Sequence, residues 1–159
     1  SMRFLLIGRI DEIRPGEFAR GVKNVTMSED FMQDHFPGLP IFPGTFTIES
    51  MAQLGGCLAE SAYETEGKQP RRALLAKIDK AKFYEPCRPG DQLELHCTVE
   101  SALEGAARVK GEAFVQGSRV ARAELTYVLM EVDVEKVHQQ REELYQIWTE
   151  RLRAETTER

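Results

Sequence analysis

The stretch that decides the fold is residues 35–67, which read HFPGLPIFPGTFTIESMAQLGGCLAESAYETEG. From residue 45 onward, apolar and small side chains recur close to helical spacing but cover nearly all of the surface, which is typical of a helix buried on most sides. Pro43 suits the start of this helix, and Gly67 suits its end. We therefore expect one buried helix at the centre of the fold.

Segments with strand character lie on both sides of this helix. Alternating apolar and polar residues, bounded by turn signals, predict six strands: residues 3–13, 18–25, 71–86, 91–105, 106–118 and 119–132. The turn signal Arg14-Pro15-Gly16 joins the first two into a hairpin. A long central helix wrapped by an antiparallel sheet belongs to the α+β class.

The end of the chain has a different character. Residues 133–159 contain no glycine or proline, and an apolar stripe predicts an amphipathic helix that fades into a charged end: Val137, Leu144, Ile147, Trp148 and Leu152. We expect one domain over residues 2–132 and a C-terminal helical extension over 133–159. The extension could cap the sheet, enlarge a subunit contact, or bind a partner through Trp148.

Composition and charge exclude several classes of protein. An apolar fraction of 42% and a charged fraction of 30% are typical of a globular domain. The net charge of −5 disfavours nucleic-acid or anionic-membrane binding. No apolar run is long enough for a membrane span, and RFLLIGRI is too short for a signal peptide, so we expect a cytoplasmic protein. Three widely spaced cysteines predict reduced thiols, and we expect no metal and no other cofactor.

A basic stretch interrupts this acidic background. Between residues 68 and 88, seven basic side chains face few acidic ones: Lys68, Arg71, Arg72, Lys77, Lys80, Lys82 and Arg88. This pattern indicates either a solvated face or a docking surface for an acidic partner.

Three residues in the deciding stretch suggest acid–base chemistry. His35 titrates near neutrality and can accept a proton. A carboxyl such as Glu49 on a nearly all-apolar helix is costly to bury ionised, so we expect its pKa to be raised and expect it to act as an acid. Gly44, at the helix start, can offer a backbone N–H to a developing oxyanion. Together they suit α,β-elimination from a thioester, whereas the alternative is a loop histidine and a capping glutamate.

The stretch HFPGLPIFPGTFTIESMAQ, residues 35–53, resembles the signature of the 3-hydroxyacyl-[acyl-carrier-protein] dehydratases of bacterial fatty acid synthesis, a hotdog-fold family whose usual form is HFPGxPxxPGxxxxEAMAQ. The similarity extends to FLLIGRIDEIRPG, AKIDKAKFYEPCRPGDQLEL and VARAELTYVL, and covers roughly residues 3–130. It implies a hotdog fold and the dehydration of 3-hydroxyacyl groups carried on acyl carrier protein.

The resemblance also implies roles for individual residues. His35 matches the base that removes the C2 proton, and Glu49 matches the acid that protonates the leaving C3 hydroxyl. Gly44 matches the amide that holds the thioester carbonyl. The carbonyl of Ile41 orients the imidazole, and Gln53 holds the carboxylate. Phe83 lies in a segment that borders the acyl tunnel in this family.

In the family, the two catalytic residues of one site come from different protomers of a homodimer, and such dimers often assemble further into hexamers. The resemblance therefore implies a homodimer with shared sites. Because the related dehydratase/isomerase branch carries Asp where this chain has Glu49, isomerisation of the product is not expected.

The chain departs from the family at several positions. Ser50 replaces an alanine, Asp34 replaces a glycine before the histidine, and Tyr84-Glu85 replaces a pair that is commonly basic and that serves carrier docking. Two alternatives stay open at this point: a hotdog acyl thioesterase, and a noncatalytic acyl-binding or assembly protein.

Overall fold

The computed structural model describes residues 7–25, 44–63, 71–131 and 135–157, and the order of its elements matches the predicted one. The elements are β1 (Arg9–Arg14), β2 (Phe18–Asn24), α1 (Gly44–Ser61), β3 (Arg71–Phe83), β4 (Gln92–Leu103), β5 (Ala106–Val115), β6 (Ser118–Glu131) and α2 (Glu135–Thr157). The six strands form one sheet in the order β1-β2-β4-β5-β6-β3, in which every neighbouring pair is antiparallel. The expected α+β hotdog arrangement, a central helix wrapped by an antiparallel sheet, is confirmed.

Helix α1 lies against the inner face of the sheet, where alternate residues of the strands form the core. Met51, Leu54 and Leu58 of the helix are fully buried. The hydroxyl of Tyr127 on β6 donates to the carbonyl oxygen of Ala52 at 2.7 Å. This contact requires a glycine at residue 55, because a Cβ there would lie 2.5 Å from the Tyr127 hydroxyl oxygen.

The helix begins at Gly44, as Pro43 predicted, but it ends at Ser61 and not near Gly67. Tertiary contacts fix this end. The Ser61 hydroxyl donates to the carbonyl of Leu58 at 2.6 Å and accepts from the amide of Gly16 at 3.3 Å. Tyr63 then turns toward the β4–β5 turn, where its hydroxyl bonds the carbonyl oxygens of Leu103 and Ala106.

The C-terminal helix α2 packs against β1, which is one edge of the sheet. Trp148 is only 3% exposed, and Leu144 and Leu152 pack against the same core. Of the three roles open to the extension, the structure therefore supports capping of the sheet, and Trp148 is not available to a partner. Ile147 was wrongly placed on the apolar stripe, since it is 61% exposed.

The opposite edge of the sheet, β3, has no strand beside it in the described chain. Near its start, the N–H of Ala73 donates to Oε1 of Glu60 at 3.0 Å. Leu129 is paired with Ala73, but its own N–H donates to Gly105 on the far side, so the N–H of Ala73 points to the open edge. Arg72 holds the same carboxylate at 3.4 Å. Helix α1 thus closes the first part of this edge and leaves the remainder open.

Candidate active site

Of the six residues predicted to form the site, the structure describes Gly44, Glu49, Gln53 and Phe83. His35 and Ile41 lie outside the described residues, as does the departure at Asp34. The four described residues come from α1 and the end of β3, so the geometry reported below concerns the predicted acid, the predicted oxyanion donor and the wall of the predicted tunnel.

Gly44 and Phe83 are in direct contact. Phe83 pairs with Ala121 of β6, which faces the core, so the ring lies on the inner face beside the start of α1. A Cβ added to Gly44 would lie 2.7 Å from Cε1 and 2.9 Å from Cδ1 of the ring. Because the first N–H groups of a helix have no partner within the helix, the ring borders a helix end that can donate to a substrate oxygen.

Glu49 and Gln53 lie one helical turn apart and therefore on the same side of α1. Gln53 is half-buried, whereas Glu49 is exposed. The expectation that the helix buries Glu49 is thus not met within the described residues. Among these residues, the sheet leaves uncovered the side of α1 that carries Glu49.

A buried pair anchors the start of α1 and was not predicted. Thr47 is 2% exposed, and its side chain hydrogen-bonds the thiol of Cys87, which follows β3 in the chain. Burial, reinforced by the Asp91 carboxylate, raises the pKa of the Cys87 thiol to about 11. This thiol is therefore protonated at neutral pH and acts as a packing group, as predicted for the cysteines.

The departure at Ser50 is accommodated inside the helix. Ser50 is fully buried, and its hydroxyl donates to the carbonyl oxygen of Phe46 one turn earlier at 2.8 Å. A buried hydroxyl is tolerated when it is hydrogen-bonded in this way. The residue adjacent to Glu49 thus differs from the family pattern without leaving a polar atom unsatisfied.

Tyr84, which departs from the family pattern, lies beside a cation that the sequence alone did not reveal. Arg119, at the start of β6, places its guanidinium carbon 5.0 Å from the centroid of the Tyr84 ring and donates to the Tyr84 hydroxyl at 3.3 Å. Glu112 holds the same guanidinium at 3.0 Å, and its hydrogen bond is the main reason that the pKa of Arg119 is raised. A cation therefore stands beside residue 84, although residue 84 itself is not basic.

His96 lies away from the candidate active site. His96 is on the outer face of the sheet, with Nε2 3.5 Å from a carboxylate oxygen of Glu94 and its ring 4.8 Å from that of Phe114. The three cysteines are buried, and no disulfide joins them. This agrees with the reduced thiols that the sequence predicts.

Comparison with known proteins places this arrangement among enzymes of acyl metabolism. A family model described as a FabA-like domain matches residues 1–124. The chain is 44% identical over 125 residues to the "3-hydroxyacyl-[acyl-carrier-protein] dehydratase FabZ" of Syntrophotalea carbinolica, covering 79% of this chain and 84% of that protein. It is 43% identical over 125 residues to the protein of the same name from Lactobacillus helveticus, with 79% and 82% covered.

Solved structures show the same fold at much lower sequence identity. A Streptococcus mutans protein, smu.793 bound to acetyl CoA, matches with a TM-score of 0.64 and 14% identity, over 82% of this chain and 94% of that chain. A chain of the dehydratase heterocomplex ApeI:P from Xenorhabdus doucetiae matches with a TM-score of 0.57 and 17% identity, over 74% and 92% of the two chains. Both likenesses concern the fold alone.

Proposed function

This chain belongs to the FabA-like family, and from that premise we propose that it is a 3-hydroxyacyl-[acyl-carrier-protein] dehydratase that acts in fatty acid or related acyl-chain biosynthesis. The observation that carries the proposal is the likeness to FabZ proteins over most of the chain. The site supports it, since an exposed carboxyl, Glu49, lies five residues after a helix start, Gly44, that Phe83 borders.

The reaction removes water across C2 and C3 of the acyl chain. His35 takes the proton from C2, the electron pair forms the C2–C3 double bond, and Glu49 delivers a proton to the C3 hydroxyl as it leaves as water. The N–H of Gly44 holds the thioester carbonyl while negative charge develops on its oxygen. The carbonyl of Ile41 orients the imidazole and Gln53 holds the carboxylate, so both act as positioning residues.

The active enzyme is a homodimer in which each site is shared. Two features of the single chain support this. The open edge of β3 carries exposed apolar side chains on its inner face, with Leu75 38% exposed, Ile78 45% and Phe83 52%. An exposed apolar edge strand favours pairing with a second copy. Glu49 is exposed and lies about three helical turns before Glu60, which contacts the edge of β3, so antiparallel pairing of two β3 strands brings the partner's inner face toward it and buries it. Assembly of dimers into a hexamer stays a prediction.

The acyl carrier protein docks near Tyr84, at the outer end of the tunnel that Phe83 borders. Arg119 supplies the positive charge there, since its side chain is 37% exposed and its guanidinium lies beside the Tyr84 ring. The basic side chains of β3 add to the attraction, with Lys77 67% and Lys80 65% exposed. Exposed cations steer an acidic partner and raise its association rate more than they raise its final affinity.

The test of the function is an assay with a 3-hydroxyacyl carrier-protein thioester, in which the absorbance of the conjugated enoyl product is followed. Dehydration by the wild-type chain, with most turnover lost in His35→Ala and in Glu49→Gln while both remain folded, is the expected result. Release of free thiol without enoyl product would replace dehydration by thioester hydrolysis. Binding of the thioester without either product would indicate a noncatalytic acyl-binding protein.

Sharing of the site has its own test. Mixing the inactive His35→Ala and Glu49→Gln variants restores part of the activity if subunits exchange, because one of the two sites in a mixed dimer then has both residues. A lack of activity after exchange has been demonstrated would place both residues in one protomer.

Within the described residues, no helix is long and apolar enough to cross a membrane. The cytoplasmic location stays a prediction, and so does the division at residues 132 and 133.

A further inference from the structure

A cavity of about 190 Å³ opens on the outer face of the sheet, the side that faces away from α1. It is lined by Lys80, Glu100, Lys110, Arg122, Ala123 and Glu124. Lys82 and Arg122 pair on this outer face, while the next pair, Phe83 and Ala121, lies on the inner face. The sheet therefore separates this cavity from the candidate active site, and the dehydration chemistry makes no use of it.

The charges around the cavity leave a positive surplus. Arg108 on its rim holds both carboxylates, through a hydrogen bond to Glu124 and an ion pair of 3.7 Å to Glu100. With Arg108 and the adjoining Glu112 counted, four cations surround three carboxylates. The surplus of positive charge is local, because the chain as a whole is acidic, with a net charge of −5.

Arg122 lacks an acceptor for one buried donor. Its Nε is buried and has no hydrogen-bond partner among the described residues. Glu112, which pairs with Arg122 across the strands, is already held by Arg119 at 3.0 Å and by Lys110 at 3.6 Å. A buried donor without a partner is rare in folded proteins and calls for an explanation, of which a bound anion is one.

Lys80 lines the cavity, and its backbone is strained. Lys80 has a φ of 50°, in the left-handed region that favours glycine, and it lies in a bulge between Asp79 and Lys82. Bulges redirect side chains, and Nζ of Lys80 lies 3.8 Å from a carboxylate oxygen of Glu124 on the cavity wall. A glycine would relieve the strain but would remove the cation.

We propose that this outer-face cavity binds a phosphate group, either as inorganic phosphate or as a small phosphate ester. The local surplus of positive charge attracts a phosphate dianion, and the guanidinium fork of Arg122 suits phosphate oxygens. The cavity is smaller than the roughly 300 Å³ at which pockets for drug-sized ligands begin, so a small ligand is indicated.

The test is isothermal titration calorimetry of the full chain with sodium phosphate at constant ionic strength, and with sodium chloride for comparison. Saturable binding of phosphate and not of chloride is expected. Arg122→Gln should weaken it about tenfold, since it removes a charge-assisted hydrogen bond. Arg20→Gln is the matched control on the same outer face, because the Arg20 guanidinium is held by Glu12 at 3.2 Å and lies outside the cavity.

Two further variants are expected to change the affinity for phosphate in opposite directions. Lys80→Gly should weaken phosphate binding while raising the melting temperature, because glycine relieves the positive φ. Glu100→Gln should tighten binding, since it removes a negative charge from the wall. Tighter binding of glycerol phosphate than of inorganic phosphate would identify an ester as the ligand, and the reverse would identify free phosphate. The proposal is overturned if neither binds saturably, or if Arg122→Gln binds phosphate as the wild type does.

Discussion

The ring of Phe83 lies so close to the α-carbon of Gly44 that a Cβ on residue 44 would be 2.7 Å from ring atom Cε1. Real Cβ atoms do not approach carbon atoms so closely, and thus either the ring or the start of α1 must move in any Gly44 variant. The contact joins the residue proposed to hold the thioester carbonyl to the residue proposed to border the acyl chain.

Gly44→Ala should therefore lower kcat by roughly 10²-fold, which is the typical effect of displacing one oxyanion donor. The measurement is the rate of enoyl formation at saturating substrate, with circular dichroism to confirm the fold. The double variant Gly44→Ala/Phe83→Leu completes a mutant cycle: recovery of part of the lost rate, relative to Phe83→Leu alone, attributes the loss to the steric conflict. Normal turnover in Gly44→Ala would mean that the Phe83 ring moves aside and leaves the N–H of residue 44 in place.

Neighbouring glycines of α1 should respond oppositely to alanine. At Gly55, a Cβ would lie 2.5 Å from the buried Tyr127 hydroxyl, so Gly55→Ala should cost about 1–3 kcal/mol of unfolding free energy. At Gly56, the nearest atom would be 3.7 Å away, so Gly56→Ala should be neutral or stabilise the helix by up to ~1 kcal/mol. Denaturant titration measures both. Tyr127→Phe removes the conflicting oxygen and should rescue Gly55→Ala; equal stabilities of the two alanine variants would contradict the packing described.

The open edge of β3 gives a prediction about assembly. Ile78→Lys replaces an apolar side chain, which is 45% exposed in the single chain, with a charged one. The protomer should therefore fold but fail to pair with a second copy. Sedimentation velocity should report a monomer, and dehydration should be lost because each site lacks its partner. The control is Ile147→Lys on α2, where the side chain is 61% exposed and distant from β3. A dimeric and active Ile78→Lys variant would place the subunit contact elsewhere.

Arg119 should affect the docking of the carrier protein and not the rate of the chemical step. Arg119→Ala is expected to lower kcat/KM for a carrier-bound substrate about 2–5-fold, as befits an exposed charge at the rim of an interface. The rate with a short thioester that lacks the carrier protein should be unchanged. Added salt should shrink the difference, since it screens exposed charges. An equal loss with both substrates would mean that Arg119 acts through Tyr84 on the site itself.

The Glu124 carboxylate predicts a dependence of stability on pH. The hydrogen bond from Arg108 is the main cause that lowers its pKa below the ordinary value of 4.5. A lowered pKa stabilises the fold above pH 4.5, and this contribution is lost as the pH falls through the lowered value. Glu124→Gln should thus melt below the wild type near neutral pH, and the difference should vanish in acid. A difference that is constant with pH would exclude an ionic origin.

Local features of the fold were predictable because they are set by neighbouring residues. Gly16 has a positive φ and lies at the Arg14-Pro15-Gly16 turn that the sequence indicated. The start of α1 after Pro43 is of the same kind, since proline favours the first turn of a helix. The strand segments were predictable as well, because alternation reports directly which side chains face the core.

Features that depend on distant residues were not predictable. Helix α1 ends at Ser61 and not at the predicted Gly67, because the hydroxyls of Ser61 and Tyr63 bond residues about forty positions away. Arg119 reaches Tyr84 across 35 residues, which no local pattern signals. Glu49 was expected to be buried, but its side chain is exposed among the described residues.

By itself, the sequence determined the α+β class, the order of the elements and the residues proposed for acid, base and oxyanion donor, because these follow from periodicity, turn residues and a specific motif. Only the tertiary structure decided that Trp148 caps the sheet, that Phe83 contacts Gly44, and that no described residue pairs with the edge of β3 beyond Ala73. The physical reason is that each of these contacts joins segments far apart in the chain, so its geometry is fixed by packing around the core and not by neighbouring residues.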